Sequence, residues 1–237
     1  MPRQPRQFEI GGIYHIINRS IEGREIFCKP QDTHRFILGL EFCNTDKSTD
    51  LWSLVGSDPT KPSDIAERLK IERGERNNPL VKNLAFTLMP NHIHLILQEI
   101  KEGGISKYMQ KLGGYSTYFN KQYRRTGSLF QSRFKSVPIK DDAQLSKVFV
   151  YLHSNPVELW ESDWKNFKVK NKKQAIKKLE DYWPSSYNDY IGKPKFPRVI
   201  TRKFFLDFFG SERACRQVVE DWISFKAEES ESNQESA

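Results

Sequence analysis

The sequence predicts an α+β fold with a ferredoxin-like core, in which strands and helices follow the order βαββαβ. Three observations lead to this class. Several short segments alternate apolar and polar residues, as half-buried strands do. The segments between them repeat apolar residues at helical spacing. A turn at Pro90-Asn91 joins two of the strands as a hairpin, which predicts an antiparallel sheet.

The first strand is predicted over residues 11–20, "GGIYHIINRS", where apolar and polar residues alternate. The first helix follows over residues 32–44, where apolar residues recur at helical spacing. Residues 46–79 are rich in proline, glycine and charge, which predicts a surface insertion with a short helix over residues 64–73.

The second and third strands form the hairpin, over residues 84–89 and 92–98. A long helix is then predicted over residues 105–123, although Gly113 and Gly114 weaken its middle. This hairpin and helix complete the first five elements of the core.

The last strand is predicted over residues 127–139, "GSLFQSRFKSVPI", and is expected to end at Pro138. Asp141 and Asp142 then favour a helix N-terminus, which adds one C-terminal helix to the core. Its predicted apolar face consists of Leu145, Val148, Phe149 and Leu152.

We therefore expect residues 1–160 to form a catalytic domain with its insertion at 46–79. Residues 161–237 form a basic, aromatic extension that is mostly helical or irregular and ends in an acidic tail, for which the composition predicts disorder.

The composition narrows the classes of function. The 237 residues contain no apolar run near the roughly 20 residues of a membrane span and no secretory signal, so we expect a cytoplasmic protein without a membrane partner. Three dispersed cysteines argue against a disulfide framework or a thiolate zinc site. The net charge of +8 favours a polyanionic partner such as nucleic acid.

His92 and His94 form a candidate metal-binding pair. Residues i and i+2 of a strand project to the same face, so the two imidazoles lie side by side. Paired imidazoles are common metal ligands. The alternative is two unrelated histidines on a half-exposed face of the sheet.

The segment "YLHSNP" can complete such a site. Tyr151 and Asn155 are four residues apart and therefore neighbours on one face of the added helix, whereas His153 lies on the other edge. Asn155 could donate its amide oxygen to a metal. Two alternatives remain: Asn155 followed by Pro156 is also a common way to begin a helix, and Tyr151 could be a half-buried core residue.

The motifs "MPNHIHLIL", "GSLFQSRFKS", "YLHSNPVELW" and "WPSSY", in this order, resemble the tyrosine transposases of the HUH superfamily. The resemblance is strongest to the REP-associated tyrosine transposases, relatives of the IS200/IS605-type transposases, and covers roughly residues 11–190. It implies a ferredoxin-like catalytic core. It also places the catalytic tyrosine at Tyr151 and the metal ligands at His92, His94 and Asn155.

The resemblance further implies a metal-dependent endonuclease and strand transferase that acts on single-stranded or hairpin DNA. The expected cofactor is Mg²⁺ or Mn²⁺, and the expected intermediate is a 5′-phosphotyrosine with a free 3′-OH. Its targets would be palindromic repeat elements, and a monomer is favoured over a dimer. Two alternatives are a hairpin-binding protein that does not cut and a hydrolytic metallonuclease in which water attacks.

Basic residues mark a candidate DNA-binding surface between the long helix and the last strand. Arg133 and Lys135 are expected on one strand face and to contact phosphates, with Phe130 and Phe134 on the core side. Arg19, after the first strand, is a further candidate. The remaining candidates are Lys121, Arg124 and Arg125.

Two other tyrosines compete with Tyr151 as nucleophile. Tyr115 and Tyr118 lie on the long helix, where core packing is the expected role. Tyr118 stays a minor alternative because Gln122, four residues later, carries an amide.

Overall fold

The computed structural model describes residues 6–48, 78–131, 133–166 and 169–235. Most of the predicted insertion at 46–79, including its short helix over 64–73, lies outside these residues.

A four-stranded antiparallel sheet forms the centre of the fold, in the order β2-β3-β1-β4. This is the strand order of a ferredoxin-like βαββαβ core, so the predicted fold class is confirmed. Ser20 pairs with Asn91 on one side and with Phe130 on the other, both in antiparallel sense. The strands are β1 (Ile13–Arg19), β2 (Val81–Met89), β3 (His92–Glu99) and β4 (Lys135–Ile139).

The chain divides into two compact units, and strands β2 and β3 contribute residues to both. Unit 1 consists of residues 1–83, 90–93 and 97–138. Its helices are α1 (Pro30–Phe42), α2 (Gly104–Leu112) and α3 (Tyr115–Gln122).

The helices of unit 1 bury the apolar residues that their spacing predicted. The hydroxyl of Tyr108 on α2 donates to the carbonyl of Leu40 on α1 at 2.8 Å, and both residues are buried. The single helix predicted over residues 105–123 is interrupted at Gly113 and Gly114. Glycine costs about 1 kcal/mol relative to alanine inside a helix, and here two occur in succession.

Strand β4 is shorter than predicted, because residues 127–131, 133 and 134 follow an irregular path. Gly127 has a φ of +84°, and the hydroxyl of Ser128 donates to the carbonyl of Phe130 at 2.7 Å, a local bond that competes with strand pairing. The strand also runs past Pro138 to Ile139, contrary to the prediction. A proline is tolerated there because β4 is an edge strand.

Unit 2 consists of residues 84–89, 94–96 and 139–237, so it contains both the added helix and the extension. The helices of unit 2 are α4 (Asp142–Ser154), α5 (Lys172–Asp181), α6 (Tyr187–Tyr190), α7 (Lys203–Phe209) and α8 (Glu212–Glu235). Helix α8 continues through the acidic segment to Glu235, where the composition predicted disorder. No helix in the described part of the chain is long and apolar enough to cross a membrane.

The "WPSSY" segment of the extension pairs with strand β2. The amide of Leu88 donates to the carbonyl of Pro184, and the amide of Ser186 donates to the carbonyl of Phe86, each at 2.9 Å. Since β2 is the other edge strand, this pairing covers backbone groups that would otherwise be exposed.

Candidate active site

Helix α4 and its C-cap position hold the two residues that the sequence selected from "YLHSNP", Tyr151 and Asn155. Asp141 caps its N-terminus by accepting a hydrogen bond from the amide of Gln144 at 2.7 Å. Phe149 is fully buried, whereas Tyr151 is 45% exposed. Tyr151 is therefore not a buried core residue, and part of its side chain is accessible to solvent.

His94 on β3 meets both residues of α4. Its Nε2 lies 3.2 Å from Nδ2 of Asn155. Its ring is edge-on to that of Tyr151, with centroids 5.6 Å apart and an interplanar angle of 86°. His94 is fully buried and Asn155 nearly so, which leaves Tyr151 as the exposed member of this cluster.

Asn155 is the C-cap of α4 and not the N-cap of the turn that follows it. It ends α4 and begins a 3₁₀ turn (Asn155–Leu159), and its φ of −54° and ψ of −35° are helical. Ser154 occupies the N-cap position of that turn. The capping alternative is therefore wrong, and the side chain of Asn155 contacts His94 instead.

His92 begins strand β3, and its ring is oriented by the residue before it. Its Nδ1 lies 2.6 Å from Oδ1 of Asn91, which can only accept, so Nδ1 donates this hydrogen bond. Asn91 is fixed in turn by donating to the carbonyl of Gly23 at 3.3 Å. Metal-binding histidines are commonly oriented in this way by a partner on the second ring nitrogen.

Arg19 is placed next to His92 by the register of the sheet. Ser20 donates to the carbonyl of Asn91 at 2.9 Å, so Arg19 stands opposite His92 in the antiparallel pair. Directly opposed side chains lie on the same face of a sheet. The exposed guanidinium of Arg19 is therefore well placed to bind a phosphate near His92.

The donor set fits a divalent ion that also binds phosphate oxygens. Two ligands of one octahedral Mg²⁺ lie about 3 Å apart, close to the separation of the His94 and Asn155 side-chain atoms. A half-turn of the Asn155 amide places Oδ1 where Nδ2 lies. Within the described residues, no three histidine, cysteine or acidic side chains form a group that could hold a metal ion.

His153, on the other edge of α4, has a structural role that the sequence did not reveal. It is fully buried, and its Nε2 lies 2.9 Å from the hydroxyl of Ser186. Burial lowers the pKa of His153 to about 3, so the ring is neutral. The Ser186 hydroxyl also accepts from the amide of Phe86 at 2.9 Å, which links α4, β2 and the extension within unit 2.

The predicted DNA-binding residues differ in how available they are. Lys121, Arg124, Arg133 and Lys135 are exposed. Arg133 precedes β4, so the expectation that Arg133 and Lys135 share a strand face is wrong.

Arg125 is instead engaged in holding its own loop. Its Nη1 donates to Oδ1 of Asn120 at 2.7 Å, and its Nη2 donates to the carbonyl of Ser128 at 2.6 Å. These bonds brace the irregular path that precedes β4. These bonds favour a structural role for Arg125 in this loop over the predicted phosphate contact.

The competing tyrosines are buried, as expected for core packing. The hydroxyl of Tyr115 donates to the carbonyl of Ile26 at 2.5 Å, and that of Tyr118 donates to Oδ1 of Asp32 at 3.0 Å. Neither hydroxyl is available to a substrate, which removes Tyr118 as an alternative nucleophile.

Comparison with known proteins bears on this cluster. Residues 64–155 match the family model described as IS200-like transposase. The match confirms the resemblance for this IS200-like segment, which contains His92, His94, Tyr151 and Asn155.

The chain is also similar to a solved structure, described as the REP-associated tyrosine transposase bound to a REP hairpin. The TM-score is 0.47 and the identity 15%, over 84% of this chain and 90% of that chain. No curated protein matches the chain.

Proposed function

We propose that this protein is a metal-dependent single-strand DNA endonuclease and strand transferase that cuts near hairpin-forming repeats through a 5′-phosphotyrosine. One observation carries the proposal: the exposed Tyr151 lies edge-on to His94, whose Nε2 is 3.2 Å from the Asn155 amide. All three residues lie in the IS200-like segment.

In the proposed reaction, the phenolic oxygen of Tyr151 attacks the scissile phosphorus. The Oη–P bond forms as the phenolic hydroxyl releases its proton and the bond from phosphorus to the 3′ oxygen breaks. The leaving oxygen takes a proton to become a free 3′-OH. The 5′ side of the DNA stays on Tyr151 as a phosphodiester. Attack by another 3′-OH reverses the step and joins strands without ATP, which a hydrolytic enzyme cannot do.

His92, His94 and Asn155 would hold the ion, Mg²⁺ or Mn²⁺. When bound, such an ion offsets the negative charge that grows on the phosphate oxygens. Asn91 would orient the ring of His92, and with it Nε2, by accepting a hydrogen bond from Nδ1. Arg19, opposite His92 in the sheet, would position the phosphate.

The charge of the chain supports a nucleic-acid substrate. The net charge is +8, and unit 1 contains four exposed candidates from the end of α3 to the start of β4: Lys121, Arg124, Arg133 and Lys135. Contacts of lysine and arginine with phosphates depend little on sequence, so they would place the strand while base pairing within a hairpin defines the target.

The test is covalent capture. The full chain is incubated with Mn²⁺ and a labelled DNA hairpin that carries single-stranded flanks. We expect a DNA–protein adduct that survives denaturation, together with a released fragment bearing a 3′-OH. Tyr151→Phe should abolish both products.

Tyr118→Phe is the matched control, since it also removes one phenolic oxygen, and it should retain the adduct. An adduct that persists in Tyr151→Phe would overturn the nucleophile assignment. Cleavage without any adduct would indicate water as the nucleophile, and tight hairpin binding without cleavage would indicate a binding protein.

A further inference from the structure

Unit 1 contains a cavity of about 540 Å³ that the proposed reaction does not use. This volume is within the range of small-molecule and cofactor sites. Met109, Phe130 and Phe134 form an apolar part of the wall, and Arg6 and Arg133 form a basic part. The described residues that line it include no carboxylate.

Arg6 is held in place by an aromatic stack but has a donor without an acceptor. Its guanidinium carbon lies 4.4 Å from the centroid of the Phe134 ring, and Phe134 stacks on Phe8 with centroids 6.4 Å apart. Among the described residues, the buried Nη1 of Arg6 has no hydrogen-bond partner. Leaving such a donor unsatisfied is costly, so an acceptor from a ligand is expected.

The charge of the cavity favours an anion. Two effects lower the pKa of Arg6. Burial is the larger effect, and the nearby charge of Arg133 is the smaller. Two guanidinium groups facing one space repel each other, and an anionic group between them turns that repulsion into attraction.

The rest of the wall suits a base rather than an inorganic ion alone. Asn18, Ser106 and Gln110 also line the cavity, and their amides and hydroxyl can both donate and accept. Unpaired bases stack on aromatic rings and on guanidinium planes, and their edges are read by groups of this kind.

We infer that this cavity binds one unpaired nucleotide of the DNA, with its phosphate at Arg6 and Arg133 and its base edge at Asn18 and Gln110. The inference rests on the proposed function. Because neighbouring strand residues project to opposite faces, Asn18 lies on the other face of β1 from Arg19. The bound nucleotide is therefore distinct from the one whose phosphate Arg19 would position.

The test uses Tyr151→Phe protein, so that the DNA stays uncut. Affinity is measured by fluorescence anisotropy for a hairpin with a short single-stranded extension and for the same hairpin with a blunt end. The extension should tighten binding on the order of tenfold. Arg6→Gln and Asn18→Ala, each added to the Tyr151→Phe protein, should remove that gain.

Lys107→Gln is the control, since Lys107 is an exposed charge on α2 that does not line the cavity, and it should keep the gain. If thermal melting shows that Arg6→Gln does not fold, Asn18→Ala alone tests whether the cavity is the source of the affinity gain. A gain that persists in the cavity variants overturns the inference while the proposed function stands.

A deoxynucleoside monophosphate is added in a second series. Binding of the mononucleotide with no gain from the extension would make the cavity a free-nucleotide site and overturn the inference. Competition between the mononucleotide and the extended hairpin supports it. If neither DNA binds, the proposed function fails and the inference fails with it.

Discussion

The side-chain amide of Asn155 lies 3.2 Å from Nε2 of His94, which joins the end of helix α4 to strand β3 within unit 2. Without an ion, this contact is a buried hydrogen bond. With an ion, the same separation suits two ligands of one octahedral centre. The first prediction separates these roles.

Asn155→Ala should weaken Mn²⁺ binding at least about tenfold, because the amide oxygen is lost from a small ligand set. Asn155→Asp keeps an oxygen and adds a negative charge, so its affinity should equal or exceed that of the parent. Isothermal titration with Mn²⁺ measures both. Unchanged affinity in Asn155→Ala would restrict Asn155 to a structural contact with His94.

Arg19→Gln should weaken DNA binding. The association constant should also fall less steeply with salt, with the log–log slope smaller in magnitude by about 1, because one phosphate contact is lost. Arg125→Gln removes the same charge from a residue whose guanidinium donates to Asn120 and Ser128. It should leave the salt slope nearly unchanged and lower thermal stability. Anisotropy titrations across a salt series measure the slopes, and equal slopes for Arg19→Gln and the parent would exclude the phosphate contact.

Local periodicity was enough to predict the order of the core elements. Alternation located β1 and the hairpin, and helical spacing located α1 and α4. The prediction failed where a local bond competes with a regular element. Residues 127–134 read as a strand, but Gly127 adopts a left-handed conformation and Ser128 bonds to the Phe130 carbonyl.

The site was predictable only where its residues share one element. The i and i+2 spacing selected His92 and His94, and the i and i+4 spacing selected Tyr151 and Asn155. Contacts across long separations left no such pattern. His153 and Ser186 are 33 residues apart, and only the folded chain shows that they meet.

The role of Arg125 was missed for a related reason. Its acceptors are an amide side chain and backbone carbonyls within five residues, and carbonyl groups are present at every position of a sequence. Charge counting therefore cannot distinguish a loop brace from an available phosphate ligand.

His15 on β1 makes stability depend on pH. Burial lowers its pKa from 6.5 to about 4, because a charged imidazole would lose its hydration. The unfolded chain binds this proton more readily, so the stabilising effect of neutral His15 is complete above 6.5 and is lost as the pH falls from 6.5 toward 4. From about pH 7 to about pH 5, His15 alone should lower the free energy of unfolding by about 2 kcal/mol.

Urea unfolding of metal-free protein at these two pH values measures the effect. His15→Asn should reduce the difference between them, and His34→Asn, at an exposed histidine of α1, should not. The same pH difference in His15→Asn as in the parent would show that another group causes the acid sensitivity.

Phe205 tests whether the extension supports the proposed nucleophile. It is fully buried in α7, and its ring centroid lies 4.5 Å from that of Phe149 on α4, two residues before Tyr151. Phe205→Ala should lower the free energy of unfolding by about 3–5 kcal/mol through the cavity it leaves. It should also reduce adduct formation at temperatures where the variant is still folded, because α4 then loses the packing that fixes Tyr151.

Phe204→Ala is the matched control, since Phe204 is adjacent in α7 but only half-buried. It should lower the free energy of unfolding and the rate of adduct formation by less than Phe205→Ala does. Urea unfolding and the rate of adduct formation with hairpin DNA report the two effects separately. A folded Phe205→Ala protein that forms the adduct at the parental rate would show that α4 holds Tyr151 without the extension. A loss of rate beyond the loss of folded protein would instead identify the extension as part of the framework that positions the nucleophile.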